Sequence, residues 1–509
     1  MLGKLGMMGS DTILAVAAAV AIAALVLWLI ARRSSPQYHN LPPGPGPAVA
    51  IPTQYPWRHF HDLSRTYGPV VTVWANGRPT VIVNSVDAAL FFMEKNARDT
   101  ADRPSNLVAD EIFSHGKRTL LVGHNERWRR LRRALHHPLQ PSSARDLRDV
   151  QERLASTVVR DLLHSPARFQ DHIQTYAASL VVYMAYGRRT PARYSDPDIR
   201  KVVDGGKHLG ILLRPGNYAL FNTNRWLQYV PGTLRTVHAW AAEELALYRS
   251  QLADVQRRVA TDPTSVAPCF GTYLLENKAK FELEDDDIAY LLGSVFGAGS
   301  DTSSSAISIV VMAAATHLAE QKAVQAELDR LCGSSPPTFN DLQEAHLLQA
   351  FIAETFRWRP VSSGGFAHQT TAQVQYNGLS VPAGTSIMGN HWGIHRDAEY
   401  YGADVEAFRP SRWMREDGTE FNEKMKHFQF GFGRRVCPGQ HVANNSVLIN
   451  AALMLWAFDI RPEVDPSGNE VPIDTLAFTN TANSHPLPFK ASFTPRVANL
   501  DAVLGHGEH

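Results

Sequence analysis

Cys437 sits in the run Phe430-Gly431-Phe432-Gly433-Arg434-Arg435-Val436-Cys437-Pro438-Gly439, a setting that suits a metal-ligating thiolate better than a core thiol. A thiolate is a strong axial ligand for a haem iron, and by pushing electron density onto the metal it favours O–O cleavage over simple oxygen carriage. Gly433 and Gly439 let the chain turn tightly and approach a flat macrocycle where a Cβ would clash. Phe430 opens the run, and Arg435 is placed to pair with a haem propionate. Pro438 suits a first helical turn, and the apolar-rich segment from Val442 to Ala457 follows it. The sulfur is therefore expected at a helix N-terminus, where the dipole favours the thiolate.

Other readings of these residues fail. Gly431-x-Gly433 lacks the third glycine of a dinucleotide loop, since Val436 stands there and no strand-turn-helix context surrounds it. Cys437 with His441, and His391 with His395, are spaced four apart, yet zinc needs three or four convergent ligands and no further cluster is visible. Cys269 and Cys332 are expected to be non-ligands, and three widely spaced cysteines fit a reducing compartment rather than a disulfide framework.

Two further groups carry chemistry. Ala298-Gly299-Ser300-Asp301-Thr302 lies inside a long apolar helical segment from Ile288 to Ala315, where a small pair followed by an acid and a hydroxyl is unusual. The Thr302 hydroxyl can bond the carbonyl four residues back or release it. Glu354-Thr-Phe-Arg357 puts an acid and a base on one helical face, and Arg412, in Phe408-Arg-Pro-Ser-Arg412-Trp413, can complete a triad from a distant loop. We assign Glu354, Arg357 and Arg412 to holding the haem-binding core together.

Together these motifs resemble the cytochrome P450 superfamily, whose Phe-x-x-Gly-x-Arg-x-Cys-x-Gly signature is matched at all five fixed positions. The resemblance implies haem b as cofactor with Cys437 as axial iron ligand, room beside the iron at residues 298 and 299, Thr302 holding dioxygen and Asp301 feeding protons. It also implies propionate contacts from Trp128, Arg132 and His368, and it notes Ser411 where many relatives have glutamate. The implied activity is that of a monooxygenase that takes electrons from NADPH through a separate NADPH-cytochrome P450 reductase and inserts one oxygen atom from O2 into a small apolar substrate. The hinge described below, the Arg357-Trp-Arg-Pro360 continuation and the motif order are most similar to fungal secondary-metabolism members, whose substrates include terpenoids, polyketides and indole compounds. Two alternatives are a reductase-independent isomerase or dehydratase on the same fold and a non-catalytic haem-binding scaffold. The intact Asp301-Thr302 pair and a basic stretch favour the monooxygenase. In that stretch Arg127, Arg129, Arg130, Arg132 and Arg133 crowd seven positions, either docking an acidic reductase or forming a solvated helix face. Family position places the pocket-lining loops around residues 104–121, 207–226, 361–366 and 478–485, with extra room expected at the small-sided Ser362-Ser-Gly-Gly365.

The elements that must carry these residues are mainly helical. Periodicity predicts helices over 142–190, 236–260 and 284–332, while 360–413 is rich in Pro, Gly and β-branched residues. Val70–Trp74 and Thr80–Val83 flank Asn76-Gly77, the dipeptide of a tight hairpin. The fold class is mainly α with a smaller β portion, and the resemblance implies the cytochrome P450 fold preceded by an N-terminal transmembrane helix. Residues 13–31 run nineteen positions without a charge, about 28 Å as a helix, close to the hydrocarbon thickness. Arg32 and Arg33 follow directly, so the positive-inside rule puts the body in the cytosol. The expected plan is a short luminal stretch at 1–12, an anchor at 13–31, a basic stop and proline-rich hinge at 32–47, and a catalytic domain at 48–509. Such a protein is a single-pass resident of the endoplasmic reticulum membrane, with the lipid bilayer as a partner. With 50 basic and 49 acidic residues, the chain has no global field to attract nucleic acid.

Overall fold

The computed structural model describes residues 38, 40–75, 77–188, 196–214, 216–262, 264 and 266–504. The expected luminal stretch, anchor and basic stop lie outside the described residues. Among the described residues no single helix is long and apolar enough to cross a membrane. The proline-rich run that follows is docked rather than free: Thr72 N–H donates to the Pro43 carbonyl at 2.9 Å, and a Cβ on Gly44 would come within 1.9 Å of the Thr72 carbonyl oxygen. Glycine is required there by close approach of two backbones.

The early hairpin forms from strands β1 (Val70–Ala75) and β2 (Arg78–Val83), paired antiparallel with Ala75 opposite Arg78, which leaves a two-residue turn. Gly77 has φ +73°, the conformation such a turn demands. Three short pieces follow much later, β3 (His368–Gln369), β4 (Val374–Tyr376) and β5 (Leu379–Val381), and then β6 (Ser386–Gly389). The main sheet runs β1-β2-β6-β3, with β2 and β6 parallel and β3 and β6 antiparallel. This sheet brings His368 next to the N-terminal third of the chain. A second hairpin, β7 (Phe458–Pro462) with β8 (Ala491–Pro495), carries the segment 463–490 between its strands.

Among the described residues, ten helices of twelve or more residues make up most of the rest. The central one, Asp285–Thr316, starts at a capping box on Glu284, carries three aspartates in its first turn, and is buried on nearly every face. An apolar-all-round helix belongs in a core, and this one packs against Phe169–Tyr186, Arg235–Thr261 and Gln440–Ala457. The periodicity over 284–332 is two helices, not one: His317 leaves helical geometry at φ −132°, ψ 72°, and Leu318–Cys332 departs at 106°. Pro438 stands before the cap, Gly439, of the Gln440–Ala457 helix and not inside its first turn.

Gly293 sets how closely the central helix meets the Arg235–Thr261 helix, because a Cβ there would lie 2.2 Å from the Tyr248 ring. Glycine inside a helix ordinarily costs about 0.5–1 kcal/mol relative to alanine. We expect Gly293→Ala nonetheless to destabilise, by about 1–3 kcal/mol through overpacking, measured as a lower denaturation midpoint; a stabilised variant would refute the contact.

Candidate active site

Glu354 has no solvent access and accepts five hydrogen bonds. Arg357 donates through Nε and Nη2, each at 2.8 Å, Arg412 through Nε at 3.0 Å, Trp413 through its indole N–H at 2.8 Å, and the Arg409 amide at 2.7 Å. Arg357 also reaches the carbonyls of His395, Val405 and Ala407. The helix His346–Trp358 is thereby tied to the loop at 405–413. Ser411 plays no part in this network. The second acid for Arg412 comes instead from Asp404, at 3.0 Å, whose carboxyl is pulled down to about 2 by hydrogen bonds from Arg409 and Arg412. Trp413 and Asp404 were not distinguished by the sequence, since neither holds a fixed spacing from Glu354.

The cysteine loop packs onto this frame. Cys437 N–H donates to the Phe430 carbonyl at 2.8 Å, and the Phe430 ring meets Phe356 edge-on. Gly433 has φ +50°, and a Cβ there would come within 2.2 Å of the Met93 carbonyl oxygen, so it is fixed by both conformation and contact. Gly439 is different. Its φ of −86° suits any residue, and its backbone N–H acts to lower the Cys437 thiol's pKa. Burial raises the Cys437 thiol above its ordinary value, opposed by that N–H and by Arg132. Burial outweighs the helix-terminus effect in the free thiol. Cys437 keeps partial accessibility while lying deep in the fold, so this area faces an interior space and not bulk water.

Around the loop three arginines gather without a carboxylate partner among the described residues. Arg435 donates to the carbonyls of Ala101 at 2.7 Å and Val122 at 2.9 Å and lies over the Trp128 ring at 4.4 Å. Arg132 donates to the Val436 carbonyl. Arg103, which the sequence reading missed, donates to the carbonyls of Leu120 and Ala367. His368 Nδ1 meets the Thr100 carbonyl at 3.0 Å, one residue from the Ala101 contact of Arg435. Burial, with each arginine acting on a neighbouring cation, lowers Arg103 to about 9, and burial lowers Arg435 to about 10. His368 is pushed well below its ordinary value by burial and by Arg103, and so is neutral. A buried group of guanidiniums satisfied only by carbonyls suits an anionic ligand. Together with a thiol facing an interior space, it fits a haem whose carboxylates meet Arg103, Arg132 and Arg435.

On the central helix, Ala298 is exposed within a partly exposed stretch that includes Val295, Gly297, Asp301 and Thr302. The Thr302 hydroxyl bonds the Ala298 carbonyl at 2.8 Å. The two small residues differ in what surrounds them. A Cβ on Gly299 would sit 2.8 Å from Val181, so Gly299 serves helix packing, because adjacent helical residues point about 100° apart. Within Ser362–Gly365, Gly365 has φ +67° and meets the Gly389 carbonyl, whereas a Cβ on Gly364 would make only ordinary contact with Trp57.

The Asp301 carboxylate is held from the segment between β7 and β8. His485 Nε2 lies 2.8 Å from one oxygen, and Asn483 Nδ2 donates to the other at 2.9 Å. The basic stretch is largely neutralised: Arg127 pairs with Asp287, Arg130 with Glu282, and Arg129 and Arg133 with Glu126. Cys269 is a buried free thiol at a helix cap and Cys332 a partly buried one, and no group of three or more metal-ligating side chains occurs among the described residues.

The sequence profile of cytochrome P450 matches residues 41–487. Cytochrome P450 monooxygenase 88 of Postia placenta is 44% identical over 471 residues, 92% of this chain and 93% of that protein. A cytochrome P450 monooxygenase of Armillaria gallica is 31% identical over 95% of this chain and 96% of its own length. Monooxygenase FrzL of a Cladobotryum species is 29% identical over 97% of this chain and 95% of its own.

Removing one partner of a fully buried ion pair strands the other charge, at about 3–5 kcal/mol. Glu354→Ala is therefore expected to lower stability by that order and to abolish haem incorporation, whereas Asp404→Asn, at a half-exposed pair, costs at most about 1 kcal/mol. Haem absorbance per polypeptide and denaturant midpoints measure both, and normal haem content in Glu354→Ala would contradict the assignment.

Proposed function

The chain belongs to the cytochrome P450 family, and from that premise we propose a membrane-anchored haem-thiolate monooxygenase that oxidises a small apolar molecule in fungal secondary metabolism. The observation that carries this reading is the inward-facing Cys437, with the Gly439 N–H and Arg132 both acting to favour its thiolate form. Bound there, haem supplies activation of dioxygen and insertion of one oxygen atom into a carbon–hydrogen bond, chemistry that belongs to the cofactor. The protein's own residues do the rest. Cys437 gives up its proton to ligate; Arg103, Arg132 and Arg435, with Trp128 and neutral His368, hold and orient the carboxylates.

Thr302 and Asp301, neighbours on the central helix, handle protons. The Thr302 hydroxyl is bonded to Ala298 at rest, and breaking that single bond frees it to donate toward dioxygen at modest cost. Asp301 delivers the protons that Thr302 passes on. Electrons come from NADPH through a separate reductase, docked by the one net positive charge that Arg129 and Arg133, half or more exposed at 51% and 61%, leave after sharing Glu126. The nineteen-residue apolar run at 13–31 anchors the chain in the endoplasmic reticulum membrane, with the body on the cytosolic side.

Reducing the full-length membrane-bound protein under carbon monoxide is expected to give the strongly red-shifted Soret band of a thiolate-ligated haem, absent from Cys437→Ser. A well-folded protein with no haem band would overturn the proposal. Thr302→Ala is expected to keep that band while product per NADPH falls about tenfold or more and hydrogen peroxide rises to match. Unchanged coupling would remove Thr302 from proton delivery.

A further inference from the structure

Asp301 does not stand alone on the central helix. Its two oxygens are taken by His485 at 2.8 Å and Asn483 at 2.9 Å, and the Asn483 side-chain oxygen accepts from the Ser362 hydroxyl at 2.9 Å. The loop that brings these residues is built to hold still. Thr479 N–H donates to the His485 carbonyl at 2.8 Å, His485 N–H to the Thr479 hydroxyl at 2.9 Å, and Ser484 N–H to the Val361 carbonyl at 2.7 Å. The Ser305 hydroxyl, on the same central helix, binds the Ser484 carbonyl at 2.9 Å. The loop is thus pinned to the helix one turn from Asp301, so the His485 contact is fixed by backbone bonds on both sides.

We propose that His485 is a positioning residue for Asp301, a clamp from the 478–485 loop that sets the charge and orientation of the carboxylate and so governs when it can pass a proton. This rests on the reading of Asp301 as the proton-handling acid. The step is simple: a proton moves from His485 Nε2 to the Asp301 oxygen it touches, leaving neutral imidazole and a carboxylic acid. The acid then releases that proton along the helix, and the imidazole takes another from water. No electrons change hands.

The surroundings allow one titrating partner to dominate. His485 and Asn483 hold the Asp301 carboxyl below its ordinary value against burial, and Asp301 raises His485 against the same burial. On the loop's other side, Arg58 and Arg359 line a small cavity with Ser484. On the central helix the neighbours are the hydroxyls of Thr302 and Ser304, the latter bonded to the Asp301 carbonyl. The ionised pair is complete at pH values between the depressed carboxyl and the raised imidazole. It is lost as pH rises through the imidazole value or falls through the carboxyl value.

The test uses the haem-loaded full-length protein with a fungal reductase and no added substrate, reading hydrogen peroxide released per NADPH consumed across roughly pH 5.5 to 8.5. Wild type is expected to show one step, with peroxide yield rising as His485 deprotonates. His485→Gln keeps a neutral donor to Asp301 and is expected to lose the step, its yield raised about twofold at the acid end. Histidine-selective NMR of the same protein, with the His485 signal assigned by its absence in His485→Gln, gives a readout independent of turnover. That imidazole is expected to titrate above the ordinary range in wild type and to shift downward in Asp301→Asn. A wild-type step retained in His485→Gln, or an imidazole indifferent to Asp301→Asn, overturns the clamp. If Asp301→Asn itself leaves peroxide yield unchanged, the reading of Asp301 as the proton-handling acid fails as well, which separates the two failures.

Discussion

A carboxylate with no access to water is stable only if the fold returns, donor by donor, what hydration would have given it. Glu354 meets that condition with two guanidiniums, an indole and a backbone amide, drawn from its own helix and from a loop more than fifty residues later. The net stabilisation is smaller than five hydrogen bonds suggest, because desolvating an ion of this size offsets several kcal/mol of attraction. What the network does impose is uniqueness. Any other placement of the 405–413 loop strands a charge, and the cysteine loop lies further along the same stretch of chain, after residues 414–429. The geometry at Cys437 is therefore inherited from a frame that takes no part in chemistry.

Around Cys437 the opposite electrostatic rule operates. Arg103, Arg132 and Arg435 are satisfied by carbonyls, with Asp102 the nearest acid and bonded instead to the His124 amide. Burial weakens each guanidinium's hold on its proton, and an anion delivered among them would reverse that shift. Such a region is costly as a purely structural device and makes sense as a receptor for carboxylates. The ring stacking of Arg435 on Trp128 adds orientation to charge, since a planar guanidinium on an aromatic face has few alternative poses.

The parts of this design legible in the sequence are those with local causes. Asn76-Gly77 between alternating strands specifies its hairpin within fourteen residues, and the apolar run through Ile288–Ala315 specifies a buried helix. Where partners are remote the sequence is silent. β2 and β6 pair across some three hundred residues, and β7 and β8 across the segment 463–490, whose Asp465-Pro-Ser-Gly468 turn signals a local reversal but not the distant pairing. The break at His317 escaped notice because helical spacing resumes immediately on its far side. Glycines divide in the same way: their type announces a crowded position, but only the packed neighbour says whether it is a carbonyl, as at Gly433, or a valine, as at Gly299. Arg103 and His485 carry no motif at all, and their roles arise only once the sheet and the β7–β8 connection bring them inward.

These features divide the interior into two electrostatic halves. Beside Cys437 the charge is unbalanced and positive; along the central helix it is balanced, because Asp301 is matched by His485. An unpaired aspartate in that position would either take up a proton or draw in water and cations, and both would alter the wall that Ala298 leaves open. Pairing it with a histidine avoids this while keeping a proton within one hydrogen bond of the carboxylate, since imidazole is the side chain whose ordinary pKa lies nearest neutrality. A lysine or arginine would neutralise Asp301 equally well but would hold its proton too tightly to exchange it near neutral pH. The choice of partner thus preserves both a charge-balanced wall and a mobile proton.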